Sequence, residues 1–164
     1  MSDGAASPPQ WLDEGEMRFW RAWIISSTLL DNRLNRDLQD GHGLSHADYG
    51  ILVVLSEQED HRMRMSVLAD TLAMSKSRLS HQISRMEKAG LVRRDGDVSD
   101  GRGIFACLTP EGHERLTQAA PTHVDGVRRY VVDLLDSQER AEAARFLERV
   151  AEGLRTISPP PSTQ

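Results

Sequence analysis

Residues 63–94, MRMSVLADTLAMSKSRLSHQISRMEKAGLVRR, contain the clearest indication of how this chain folds. A short helix is predicted in its first part, with Ser66 as the N-terminal cap. A turn at 73–75 leads to a second helix over 76–89. Gly90 ends this helix, because glycine readily adopts the left-handed conformation that follows a helix. Two short helices joined by a tight turn predict a helix-turn-helix.

The second helix has two contrasting faces. Leu79, Ile83 and Met86 share one side, which predicts the face that holds the helix against a core. The opposite side carries serine, histidine, lysine and arginine, which hydrogen-bond base edges and phosphate oxygens in a DNA major groove. A merely solvated helix face is the alternative. The preceding helix and turn, and the near absence of acids on this side, favour contact with nucleic acid.

A β-hairpin is predicted after the second helix. Residues 91–94 and 104–108 form its strands, and the Gly/Asp-rich stretch 95–103 forms its tip. Arg102 lies there between two glycines, where the backbone approaches a duplex closely and the guanidinium fits the narrow minor groove. Asp100, two residues earlier, can orient this arginine through a salt bridge. A flexible loop with self-cancelling charge is the alternative for the tip taken alone.

The charge distribution agrees with a basic surface on an acidic body. The chain has 164 residues, 38% of them hydrophobic, which suffices for one core with an elongated appendage. Its formal charge of −5 argues against a nucleic-acid partner. The window 61–103, however, holds nine basic and five acidic residues and carries +4, which leaves −9 for the remainder. Such asymmetry predicts one basic functional face.

Several classes of protein are excluded by what the sequence lacks. No apolar run approaches the roughly 18 residues that span a bilayer, and residues 1–10 do not resemble a signal peptide, so we expect a cytoplasmic protein. The single Cys107 agrees with a reducing compartment. No nucleophile elbow, phosphate loop or HExxH is present, so we expect neither an enzyme nor a cofactor. His42, His46 and His61 have no cysteine or paired carboxylates to complete a metal site.

Further helices flank the hairpin and the helix-turn-helix. Residues 11–40 predict a helix long enough to pack against another chain, with a breaker at 41–43. A second helix runs from a Ser45 cap to about residue 58, and 62–65 predicts a one-rung strand. Thr109 and Pro110 begin a helix that bends at Pro121 and continues past Leu134, and a capping box of Asp136 and Glu139 opens the last helix. The Pro/Ser-rich stretches 1–10 and 158–164 predict disordered tails.

Residues 44–120 resemble the MarR family of bacterial winged helix-turn-helix regulators. The matching text is Leu44-Ser45, the stretch 63–94 quoted above, and DVSDGRGIFACLTPEG at 97–112. The specific part is Asp97, Asp100 and Arg102 followed by Leu108-Thr109-Pro110-Glu111-Gly112. The resemblance implies a mainly α fold, a winged helix-turn-helix with six helices and a small antiparallel β-hairpin wing.

The resemblance also implies a homodimer that represses transcription at a roughly palindromic operator in double-stranded DNA. Residues 11–43 and 110–157 would form the interleaved dimerisation helices, and 44–109 the DNA-binding domain. Lys76 to Lys88 would be the recognition helix, with Arg102 in the minor groove and Asp97 and Asp100 orienting it. The candidate DNA contacts are Lys76, Ser77, Arg78, Ser80, His81, Ser84, Arg85, Lys88, Arg94 and Arg102.

Members of this family commonly release DNA when a small aromatic or anionic compound binds between the dimer helices and the DNA-binding domain. Trp20, Trp23 and Tyr49 are candidates to line such a pocket, and dimer core is their alternative role.

Cys107 is predicted to be a packed structural thiol, since no basic neighbour in sequence lowers its pKa. The alternatives to a regulator are a winged-helix module that binds an acidic protein partner without an effector site, and a small-molecule binding enzyme of unrecognised type.

Overall fold

The computed structural model describes residues 9–96 and 103–156. Six α-helices, a three-stranded antiparallel sheet and one short 3-10 helix make up these residues, as the mainly α winged-helix prediction requires. The elements in chain order are α1 Glu14–His42, α2 His46–Ser56, β1 Arg62–Arg64, α3 Met65–Thr71, α4 Lys76–Lys88, β2 Val92–Gly96, β3 Ile104–Leu108, α5 Pro110–Tyr130, the 3-10 helix Val132–Leu134, and α6 Ser137–Thr156.

The predicted hairpin is part of a larger sheet. Strand β3 lies in the centre and pairs antiparallel with both β2 and β1, in the order β1-β3-β2. The register pairs Arg94 with Ala106 and Arg93 with Cys107. Because successive side chains point to opposite faces of a strand, Arg94 lies on the inner face with buried Ala106, and Arg93 lies on the outer face.

Helix caps largely follow the sequence signals. The Ser45 hydroxyl accepts a hydrogen bond from the Asp48 amide, and the Asp48 carboxylate accepts one from the Ser45 amide, as in a capping box. Thr109 caps α5 by accepting from the Gly112 amide. The prediction for Ser66 is wrong, because α3 already begins at Met65 and Arg64 occupies the cap position without a side-chain bond.

Two predicted boundaries also differ from the structure. Helix α1 begins at Glu14 instead of residue 11, and it extends into the predicted breaker at 41–43, where it ends at His42 before Gly43, whose φ of 65° is left-handed. Helix α5 continues through Pro121 but ends at Tyr130, so the predicted continuation past Leu134 is wrong and the 3-10 helix takes its place. The capping box before α6 forms as predicted, with paired bonds between Asp136 and Glu139.

The core lies in the middle of the chain and leaves both ends outside it. Its fully buried large side chains are Leu38, Leu44, Ile51, Leu52, Leu55, Leu68, Leu79, Ile83 and Val92. Helix α1 contributes only Leu34 and Leu38, near its C-terminal end, and α6 has no buried residue. None of the described helices is both long and apolar enough to cross a membrane. The predicted disordered tails fall almost entirely outside the described residues.

Candidate nucleic-acid interface

Helix α4 is fixed to the core by its apolar face and shows its polar face to solvent. Leu79 and Ile83 are fully buried and Met86 is 2% exposed. The Ser75 hydroxyl caps the helix by accepting from the Arg78 amide, and Ala73, in the preceding turn, has a positive φ of 50°. The exposed residues of α4 that were predicted to contact DNA are Lys76, Ser77, Arg78, Ser80, His81, Arg85 and Lys88.

The cations on this face divide into two groups. Within residues 9–96 and 103–156, no carboxylate lies at ion-pair distance from Lys76, Arg78 or Lys88. Arg85 differs, because its Nη2 lies 3.7 Å from the Asp48 carboxylate of α2 while the side chain stays 66% exposed. Three charged side chains of the helix therefore face solvent with their charge uncompensated by a close acidic partner in the described chain.

Gln82 is a residue that the sequence analysis missed. Its amide nitrogen donates to Oδ1 of Asp48, and also to the Ser45 hydroxyl at 3.3 Å. Asp48 and Ser45 are the capping residues of α2, so the start of α2 is hydrogen-bonded to the middle of α4. The sequence reveals the capping box but not its tertiary partner, since a polar residue midway along a helix gives no signal of what it contacts.

Arg94 is engaged by protein acceptors on α4. Its Nη1 donates to Oε2 of Glu87 at 2.6 Å, and its backbone amide donates to Oε1 of the same carboxylate at 2.8 Å. Its Nη2 donates to the Ser80 carbonyl at 2.8 Å and to the Ser84 hydroxyl at 2.9 Å. Three predicted DNA contacts, Arg94, Ser80 and Ser84, are thus brought together in a network that joins the hairpin to α4.

The outer face of the sheet carries arginines around one aromatic ring. The guanidinium carbons of Arg62 and Arg64 lie 5.0 and 5.2 Å from the centre of the Phe105 ring. Arg93 donates to the Asp95 carboxylate at 2.8 Å, which raises the pKa of this arginine. Arg62 and Arg64 entered the charge count of the sequence but were not predicted as site residues. The predicted tip residues Asp97, Asp100 and Arg102 lie outside the described residues.

Cys107 is buried in β3, as predicted for a structural thiol. Burial raises the pKa of its thiol, although Arg93 and Arg62 nearby act in the opposite direction. Cys107 has no basic neighbour in sequence, but strand pairing sets Arg93 directly opposite it, which the sequence analysis missed. The effect of burial exceeds that of the arginines, so the thiol stays protonated and poorly nucleophilic at neutral pH.

The three residues predicted to line an effector pocket are not brought together within one protomer. Tyr49 is 7% exposed and its ring lies 4.4 Å from that of His123. Trp20 is half exposed, and Trp23 lines a cavity of about 390 Å³ with side chains of α1, α5, α6 and the segment between them. Helix α2, which carries Tyr49, contacts α1 much further along: its first amide donates a hydrogen bond to Asn35. Asn35 lies about 18 Å along α1 from Trp23.

The histidines have separate partners. His42 Nε2 lies 2.8 Å from the Thr122 hydroxyl, and His46 Nδ1 lies 2.7 Å from the Asp31 carboxylate. The His61 ring lies 5.9 Å from that of His113. In the part of the chain that the structure describes, no three His, Cys, Asp or Glu side chains form a group that could hold a metal ion. Burial, and then the neighbouring His46, lower the pKa of His123.

Comparisons with known proteins agree with this architecture. The model of the MarR family matches residues 42–103. Among solved structures, AbsC, a MarR family transcriptional regulator from Streptomyces coelicolor, is 48% identical, with 91% of this chain and 100% of that chain covered and a TM-score of 0.86. Sco3205, a MarR family transcriptional regulator of the same organism solved in complex with DNA, is 44% identical, with 93% and 95% covered and a TM-score of 0.88.

Curated relatives match over a shorter stretch. The HTH-type transcriptional repressor YetL of Bacillus subtilis is 29% identical over 99 residues, and the aligned part spans 59% of that protein. The transcriptional repressor MprA of Escherichia coli is 31% identical over 97 residues, which span 54% of its length. These relatives are regulators, which confirms the expectation that this chain is not an enzyme. From the fold, the helix-turn-helix and the full-length match to AbsC, the chain belongs to the MarR family of transcriptional regulators.

Proposed function

We propose that the chain is a homodimeric repressor that binds double-stranded DNA in a sequence-specific manner and releases it when a small molecule binds. The observation that carries this proposal is the outward face of α4, where Lys76, Arg78 and Lys88 are exposed on a helix that the core holds rigidly. An α-helix with such a face fits a DNA major groove. The DNA complex of Sco3205, 44% identical over 93% of this chain, supports the same role.

The residues of this face divide into base readers and phosphate binders. Arg78 lies in the first turn of α4, where recognition helices contact base edges, and a guanidinium suits the paired acceptors of guanine. Lys88 lies at the end of the helix, where an ammonium suits a backbone phosphate. In this proposal Arg102 of the hairpin tip enters the adjacent minor groove, with Asp97 and Asp100 orienting it.

Homodimer formation accounts for the apolar surface at the two ends of the chain. Side chains that a monomer leaves largely in water include Phe19, Trp20, Ile25, Leu29, Leu134 and Leu154, with exposed fractions between 50% and 72%. Large apolar side chains exposed on these helices are typical of a protein interface. We propose that 11–43 and 110–157 form that interface and that 44–109 binds DNA. A two-fold axis then requires a palindromic operator with half-sites about one helical turn apart.

The proposed function includes repression of transcription and its relief by a small molecule. YetL and MprA are named as repressors. In this proposal the chain acts in the cytoplasm, and a dimer bound to a promoter prevents other proteins from binding the same DNA. The cavity beside Trp23 is mainly apolar and large enough for a small aromatic compound. Occupancy of this cavity would change how α1, α5 and α6 pack, and with it the spacing of the two recognition helices.

Selection of duplexes from host genomic fragments tests the proposal. The wild-type chain should enrich discrete fragments that share an inverted repeat, and Arg102→Ala should weaken binding to them. Gln10→Ala, an exposed residue outside both the proposed interface and the proposed DNA-binding domain, serves as the control and should leave the affinity unchanged. If no fragment is enriched, a module that binds an acidic protein becomes the better account of the basic face.

A further inference from the structure

The network around Arg94 connects the two parts of the structure proposed to reach DNA. One carboxylate of α4, Glu87, accepts from both the backbone amide and the guanidinium of Arg94. The other end of the guanidinium reaches back to Ser84 and Ser80, about one and two turns earlier on α4. Arg94 and Glu87 are 27% and 32% exposed, so water competes only partly for these bonds. A single side chain of the hairpin is therefore fixed along more than half of α4.

The position of Glu87 calls for an explanation. It is the only acidic residue in α4, and a carboxylate on a helix that faces phosphates weakens binding unless a cation neutralises it. Arg94 supplies that cation. The charge of this arginine is consequently used inside the protein, which distinguishes it from Lys76, Arg78 and Lys88.

The connection between α4 and β2 is otherwise short and sharply bent. Residues 89–91 form it, and Gly90 has a left-handed φ of 75°. The Thr109 hydroxyl reaches the Gly90 and Leu91 carbonyls at 2.7 and 2.9 Å, so the base of the hairpin is tied to the start of α5. The bonds of Arg94 to α4 lie further along β2, towards the tip, where they constrain the angle between the hairpin and α4.

We propose that Arg94 and Glu87 are positioning residues that lock the hairpin to the recognition helix, so that one fixed spacing between a major-groove segment and the neighbouring minor groove is read. This inference rests on the proposed function and adds a source of specificity to it. A duplex whose two segments are shifted relative to each other must break the lock or lose one contact. Discrimination of this kind comes from rigidity and needs no additional base contact.

Two conservative variants separate this role from a simple charge contact. Arg94→Lys keeps the positive charge but cannot donate to Glu87 and to the serines at once, because an ammonium lacks the planar fork of a guanidinium. Glu87→Gln removes a negative charge near DNA, so electrostatics alone predicts tighter binding to every duplex. Arg93→Lys is the matched control, since Arg93 lies on the same strand but points to the outer face and pairs with Asp95.

The experiment measures the affinity of the full-length chain for its selected operator and for the same duplex with one base pair inserted between the two segments. For the wild type we expect the insertion to cost about tenfold, the typical effect of one wrong base pair. With Arg94→Lys or Glu87→Gln the penalty should fall below about threefold, while Arg93→Lys keeps the wild-type penalty. An unchanged penalty in the Arg94 and Glu87 variants, whatever their overall affinity, overturns the inference.

A measurement without DNA keeps this inference separate from the proposed function. Hydrogen exchange of the β2 and β3 amides should accelerate in Arg94→Lys and Glu87→Gln, while the α2 amides exchange as in the wild type. If the wild type enriches no duplex, the proposed function fails and this comparison alone decides whether the lock exists. Equal exchange rates in all variants would show that Arg94 does not hold the hairpin.

Discussion

Helices α4 and α6 are both amphipathic, yet the apolar face of α4 is buried and that of α6 is partly exposed. Leu79 and Ile83 of α4 are fully buried in the core, whereas Leu147 and Leu154 of α6 are 44% and 65% exposed. Within the described residues, the aromatic contacts of α6 are those of Phe146, with Phe19 and Trp23 of α1. The apolar face of α4 is therefore packed within the protomer and only its polar face is left to bind a partner, whereas Leu147 and Leu154 of α6 stay exposed, as the proposed dimer interface requires.

The largest expected effect comes from the buried face of α4. Ile83→Ala should lower the free energy of unfolding by about 3 kcal/mol, through lost burial and the cavity it leaves. The measurement is chemical denaturation at several protein concentrations, with Thr117→Ala, exposed on α5, as the control. The loss should be the same at every concentration, because Ile83 packs within its own chain. A loss below about 0.5 kcal/mol would mean that α4 is not a rigid part of the core.

The exposed apolar faces should respond to charge in a different way. Leu29→Asp or Leu154→Asp places a carboxylate in the proposed interface, and should raise the dissociation constant of the dimer by about a hundredfold. Sedimentation velocity measures this, and circular dichroism should show unchanged helix content. Ser66→Asp, on an exposed part of α3 outside the proposed interface, is the matched control. Dimers of unchanged strength in both variants would place the interface elsewhere.

Alanine substitutions on the polar face of α4 should weaken DNA binding in two different ways. Arg78→Ala should relax the preference at one base position and cost about 1 to 3 kcal/mol there, whereas Lys88→Ala should weaken all duplexes alike. Binding titrations with an operator and its single-base variants distinguish the two. Equal effects of both substitutions on every duplex would contradict the division into base reader and phosphate binder.

The junction between the core and α5 should be sensitive to pH. Burial lowers the pKa of His123, so the folded chain binds this proton less readily than the unfolded chain, whose histidine titrates near its ordinary pKa of 6.5. The contribution of His123 to the free energy of unfolding is therefore favourable above pH 6.5 and is lost as the pH falls through this value. Between about pH 7.5 and 5.5 the wild type should lose more stability than His123→Gln. Denaturation curves with the same pH dependence for both proteins would contradict this.

The smallest effect concerns the buried thiol. Cys107 should react with iodoacetamide far more slowly in the folded chain than in the denatured chain, because burial raises the pKa of the thiol. Mass spectrometry of the alkylated protein follows the reaction. Peroxide should leave the DNA affinity of the wild type and of Cys107→Ser equally unchanged. Rapid alkylation of the native thiol would contradict the packing seen around it.

Local signals predicted most of the elements, because caps and apolar periodicity act within a few residues. Ser45, Thr109 and Asp136 begin helices where their hydrogen-bonding patterns require. The end of α5 at Tyr130 was missed. Tyr130 donates to Asp37 and accepts from Arg33, both on α1, and such tertiary bonds leave no trace in local sequence.

The candidate site was predicted as a set of residue types, and its internal connections were not. The helical wheel put Ser84 on the outward face of α4 and the sequence put Arg94 in the wing, so both resembled DNA contacts. Their mutual bond depends on the register of β2 with β3 and on the angle between sheet and helix. Gln82 and Asp48 are likewise 34 residues apart in sequence and meet only because α2 packs on α4.

The salt dependence of duplex binding shows whether the polar face of α4 is a DNA-binding surface, as proposed. Three cations on each of two protomers, Lys76, Arg78 and Lys88, predict a slope of about −5 for the logarithm of the association constant against the logarithm of salt concentration. Replacing all three by alanine should make the slope much shallower, and the remaining salt dependence would come from the other proposed contacts, Arg85 and Arg102. A flat slope in the wild type, or an affinity that shuffling the operator sequence leaves unchanged, would contradict the account.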